Sequence, residues 1–76
     1  MLFKVFYQEN KNATPRRENT KTMYIDLKVK SADEGVIALR ELIGEKTNYR
    51  IEYIDALTDD EAAYEKETTE FELTEF

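Results

Sequence analysis

The opening segment Leu2-Phe3-Lys4-Val5-Phe6-Tyr7-Gln8 puts Phe3, Val5 and Tyr7 on one face of an extended strand and Leu2, Lys4, Phe6 and Gln8 on the other. Both faces therefore carry large apolar groups. From Thr22 to Lys28, Met23, Ile25 and Leu27 alternate with Tyr24, Asp26 and Lys28, the period-two pattern of a second strand with one buried side. Tyr24 is the odd member of its polar face. Ser31-Ala32-Asp33-Glu34 predicts a capping box, with the Ser31 hydroxyl accepting an early backbone N–H and Glu34 reaching back to the Ser31 N–H. The helix that starts there carries Val36, Leu39, Leu42 and Ile43 at helical spacing, with Ile37 at the edge of the stripe, and Gly44 offers a left-handed stop. Gly35 in the first turn is unfavourable by roughly 1 kcal/mol against alanine.

A third strand is predicted over Tyr49 to Ile54, where Tyr49, Ile51 and Tyr53 alternate with Arg50 and Glu52. Thr58 to Glu61 reads as an acidic turn. Residues 62 to 67 fit either a short strand or a helical turn, and Phe71, Leu73 and Glu75 share a face of a final strand. The expected fold is α+β: a small, mostly antiparallel sheet in β-β-α-β-β order, with one helix packed across one face. A single helix covers one face well. The other, carrying Leu2, Phe6, Tyr24 and Ile54, is expected to be only partly covered by loops and the tail.

At 76 residues the chain is read as one domain, residues 1–76, with no second core. It contains no cysteine and no histidine, which removes thiol nucleophiles, imidazole bases, disulfides and the usual zinc ligand sets. No cofactor is implied. The N-terminal segment has no basic-then-apolar leader pattern and no apolar run approaches the length of a membrane span, so the expected location is cytoplasmic. The formal charge of −6 is unevenly spread. Residues 1–30 hold seven basic against three acidic groups, a net of +4, and residues 31–76 hold four against fourteen, a net of −10. The acidic half argues against direct binding of nucleic acid through its phosphates and favours a protein partner.

Nine aromatic residues serve cross-strand packing, an interface, or both. The candidate interface residues are Phe6, Tyr7 and Tyr24, joined by Arg16 and Arg17 on the loop that contains Pro15. An arginine fork suits carboxylates of a partner better than lysine does. Asp59-Asp60-Glu61 lacks the alternating ligands and central glycine of a calcium loop. The pairs Glu65/Glu67 and Glu70/Glu72 imitate general acid/base carboxylates in spacing alone. No nucleophile, base and orienting group come together, so no active site and no small-molecule substrate are expected.

Phe3-Lys4-Val5-Phe6-Tyr7-Gln8-Glu9, Arg17-Glu18-Asn19-Thr20, Met23-Tyr24-Ile25-Asp26, Asn48-Tyr49-Arg50-Ile51-Glu52-Tyr53-Ile54 and Ala63-Tyr64-Glu65-Lys66 occur in this order over nearly the whole chain. In these blocks the chain resembles the epsilon subunit family of bacterial RNA polymerase. The resemblance implies a small, non-essential accessory subunit that associates with the core subunits of a Firmicutes-type polymerase. It implies a component of a nucleotidyltransferase complex without catalytic residues of its own, and a compact α/β domain similar in shape to a phage-encoded polymerase inhibitor. The alternative is an acidic inhibitor-like or nucleic-acid-mimicking regulator of transcription, for which the −10 over residues 31–76 is the motive.

Overall fold

A computed structural model describes residues 1–9, 19–68 and 71–75. Pro15, Arg16 and Arg17 lie outside them, as does Glu70. Strand β1 (Leu2–Gln8) is the centre of a three-stranded sheet, flanked by β2 (Lys21–Asp26) and β3 (Arg50–Ala56), and helix α1 (Ala32–Lys46) lies between β2 and β3 in the chain. Both pairings are antiparallel. Phe3 stands opposite Ile25, Val5 opposite Met23 on one side and Ile54 on the other. These side chains meet Leu39 and Ile43 of α1 in a core closed further by Tyr7, Leu27, Val29, Val36, Tyr49, Ile51 and Ala56. Phe3, with no exposed surface, sits at its centre. Its burial alone stabilises the fold by about 1.5–3 kcal/mol.

The start of α1 follows its caps closely. Ser31 is extended at φ −139°, and its Oγ accepts the Glu34 N–H at 3.3 Å. Glu34 reaches back, but to the N–H of Lys30 at 3.3 Å rather than that of Ser31. Gly35 is required by packing, because a Cβ there would lie 1.9 Å from Cζ of Phe3. The helix does not stop at Gly44. It runs to Lys46 because Thr47, extended at φ −138°, terminates it with both its N–H and its hydroxyl on the Ile43 carbonyl, and the same hydroxyl accepts the Tyr49 N–H.

Two expectations are corrected beyond the helix. The order is β-β-α-β-α: the acidic turn and residues 62 to 67 belong to a second helix, α2 (Asp59–Thr68), and the final strand is reduced to one parallel bridge, Leu73 beside Tyr24. A second capping box builds α2, since Thr58 Oγ accepts the Glu61 N–H at 3.2 Å and Glu61 Oε1 accepts the Thr58 N–H at 3.1 Å. Asp59, Asp60 and Glu61 then face the positive end of the helix dipole. The other correction is a bulge in β3: Phe6 pairs with Tyr53 but Tyr7 pairs with Ile51, which leaves Glu52 as the extra residue. Strict alternation would keep Tyr53 with Ile51 and put Ile54 on the far face. The bulge sends Tyr53 to the far face beside Phe6 and brings Ile54 into the α1 core.

Candidate partner-binding surface

The far face of β1 carries Leu2, Lys4 and Phe6, and Lys4 organises what covers it. Lys4 stands opposite Tyr24 in β2. Its Nζ donates to Glu65 Oε1 of α2 at 2.9 Å, and the Tyr24 hydroxyl donates to Glu65 Oε2 at 2.7 Å. The ammonium also lies 5.3 Å from the centroid of Phe6 and 5.8 Å from that of Tyr24. Glu65 and Lys4 hold each other charged. The Glu65 carboxyl is held below the usual range by its bonds from Lys4 and then Tyr24, with burial working against them. The Lys4 ammonium is raised above its usual range, first by its bond to Glu65. Phe71 closes the other side of Tyr24, its ring centroid at 4.8 Å, and Lys66 lies 5.7 Å over the Phe71 ring.

This arrangement divides the candidate interface residues. Tyr24 is only 7% exposed, enclosed by this chain's own α2 and tail. Phe6 is half-buried and forms an aromatic pair with Tyr53 at 6.2 Å, and Tyr53 is 59% exposed. Tyr7 lies on the opposite face of the sheet, half-buried, with its ring stacked on Tyr49 at 4.6 Å. Burial, and secondly the neighbouring Tyr49 and Glu9, raise the Tyr7 phenol. Phe6 and Tyr7 therefore do not share a surface. Arg16 and Arg17 fall outside the described residues.

Several surface groups had no signal in the alternation pattern. Tyr53 reaches the Phe6 side only through the bulge, which nothing in Ile51-Glu52-Tyr53 announces. A shallow groove lined by Arg40, Gly44, Tyr49, Arg50 and Ile51 runs along the seam between α1 and β3, bringing together two arginines ten positions apart. Their proximity depends on how the helix lies on the sheet. Ile37, Tyr64 and Leu73 are further exposed apolar groups. Among the described residues no cluster of three acidic side chains is placed to hold a metal ion, and no helix is long and apolar enough to cross a membrane.

A small sheet with its core on one side, a charge-latched helix on the other and aromatic side chains left at the surface has the construction of a protein-binding module rather than of a catalytic cleft. The profile of the RNA polymerase epsilon subunit family matches residues 2–75, and the chain belongs to that family. It is 51% identical over its full 76 residues to the DNA-directed RNA polymerase subunit epsilon of Lactococcus lactis subsp. lactis, strain IL1403, with all of both chains aligned. The protein of the same description from Streptococcus agalactiae serotype III is 54% identical, again over 100% of each chain.

Proposed function

We propose that this chain is an accessory subunit of DNA-directed RNA polymerase, a non-catalytic protein that docks on the core enzyme in the bacterial cytoplasm. Its end-to-end similarity, at 51–54% identity, to proteins described as the epsilon subunit of that polymerase carries the reading. The role is one of binding. As docking residues we propose Phe6, with Tyr53 completing the aromatic surface around it, Tyr7 on the opposite face of the sheet, and Arg16 and Arg17. In this reading Tyr24 contributes by holding α2 and the tail on the face of the sheet that carries Phe6.

The direct experiment is affinity purification of the tagged chain from its native cytoplasm. Recovery of the large polymerase subunits in stoichiometric amount is the expected result, and a clean preparation without them overturns the reading. The subunit is further proposed to be non-essential. A viable deletion strain is the expected outcome, and failure to obtain one except in the presence of a second gene copy overturns that part.

The nucleic-acid-mimic alternative loses one of its acidic groups to the fold, because the Glu65 carboxylate is turned inward onto Lys4 and Tyr24. Glu67 and Glu72 remain exposed.

A further inference from the structure

The groove between α1 and β3 joins two features that are independent of each other. One is charge. Arg40 and Arg50 are the only arginines among the described residues, and both line it, although residues 31–76 carry a net of −10. Arg40 meets no carboxylate among the described residues, and Arg50 makes one loose pair with Glu52 at 3.6 Å. Arg50 pairs with Gln8 and so flanks the outer edge of β3 on the side away from α1, while Arg40 flanks it from the helix, which gives each side of that edge an open guanidinium suited to a carboxylate. The other feature is the backbone. The sheet order β2-β1-β3 leaves the outer side of β3 without a strand partner among the described residues, and this open edge meets the groove at Arg50 and Ile51. Gly44 opens the helix side, since a Cβ built there would meet no atom within 4 Å.

We propose that this seam binds an extended, acidic peptide segment, which adds a strand to the outer edge of β3 and places carboxylates on Arg40 and Arg50. Backbone pairing supplies the affinity common to all extended chains, and the two arginines select the acidic ones. The inference rests on the proposed function for the source of the segment, an acidic stretch of the polymerase core.

The test is an NMR titration of the full 15N-labelled chain with the blocked hexapeptide Val-Glu-Glu-Val-Glu-Glu, whose adjacent glutamates point to both faces of an added strand, and with its glutamine counterpart. The expected result is amide shift changes confined to β3 and the facing flank of α1, with side-chain shifts at Arg40 and Arg50, and binding at least tenfold weaker for the glutamine peptide. R40E/R50E abolishes the shifts while the spectrum keeps its native dispersion. Gly44→Leu fills the groove without touching the charges or strain at the backbone, and it also abolishes binding while melting no lower than the wild type. Absence of shifts at millimolar peptide, shifts on another surface, equal binding of the glutamine peptide, or binding that survives R40E/R50E each overturns the inference. The peptide assay contains no polymerase, so the two readings fail separately. Core enzyme recovered by a chain that ignores the peptide refutes the groove, and peptide bound by a chain that recovers no core enzyme refutes the proposed function.

Discussion

Replacing Gly35 by alanine sets two effects of opposite sign against each other. In an isolated helix the exchange is favourable by about 1 kcal/mol, because alanine gives up less backbone entropy on folding. Here the added methyl would lie 1.9 Å from Phe3 Cζ and 2.6 and 2.7 Å from its two Cε atoms. Ordinary carbon contacts fall near 3.5–4.0 Å, so the ring has to retreat by about 1.5 Å or the helix has to lift. Phe3 has no exposed surface and is enclosed by both outer strands and α1, so the retreat displaces the core. Overpacking of this kind destabilises by about 1–3 kcal/mol, and the overlap places Gly35 near the upper end. The net expectation for Gly35→Ala is a loss of about 1–2 kcal/mol, which lowers the melting temperature by about 5–15 °C in a domain of this size. The assay is urea and thermal unfolding of four proteins: wild type, Gly35→Ala, Phe3→Leu and the double variant. The smaller leucine relieves the clash, so the alanine should do little further harm in the Phe3→Leu background, giving a favourable coupling of at least about 1 kcal/mol. A Gly35→Ala protein that melts above the wild type, or a cycle without coupling, would show that the helix is free to lift off Phe3.

Other consequences follow from the charge latch and the caps. Tyr24→Phe removes a short bond to Glu65 and should lower stability by about 1–2 kcal/mol in urea unfolding, with Phe71 still packed on the ring. The depressed Glu65 carboxyl contributes stability above the ordinary carboxylate pKa and loses it as pH falls through the lowered folded value, so melting temperature should drop below about pH 4 and Glu65→Gln should flatten that drop. The raised Lys4 ammonium contributes below the ordinary lysine pKa and is lost as pH rises through its elevated value, above about pH 10.4, a loss that Lys4→Met removes. Thr58→Ala should reduce amide protection across α2 while leaving α1 and the strands protected, since α2 has no buried residue to couple it to the core. Tyr53→Ser should change stability by no more than about 0.5 kcal/mol yet reduce recovery of polymerase subunits, and unchanged recovery would remove Tyr53 from the docking surface.

The elements built on apolar periodicity were legible in the sequence. Phe3 and Val5, Met23 and Ile25, and Leu39 and Ile43 all occupy the core that their spacing predicts. The family was legible too, because the blocks that carry the resemblance are contiguous. What escaped was whatever depends on something other than period. No apolar stripe marks α2, whose contact with the sheet is made by the polar groups of Glu65. Thr58 and Glu61 nonetheless repeat the spacing of Ser31 and Glu34, and that capping signal outweighed the turn-like appearance of Asp59-Asp60. The bulge at Glu52 has no side-chain signature and reverses the faces of Tyr53 and Ile54. Gly44 shows the converse: a glycine near a helix end is a stop only where a left-handed residue is needed, and Thr47 ends this helix in extended backbone with its N–H and hydroxyl both on the Ile43 carbonyl.

The tail lies against the middle of β2, where the Thr74 N–H donates to the Tyr24 carbonyl at 2.7 Å. A sheet that can accept strands on both sides can propagate, one copy templating the next, as fibrils do. The tail bonds β2 at Tyr24, so a strand arriving on that side has to displace it, whereas the outer side of β3 has no such cover among the described residues. Addition to the sheet is thereby steered toward β3 by a few residues that form no regular element themselves.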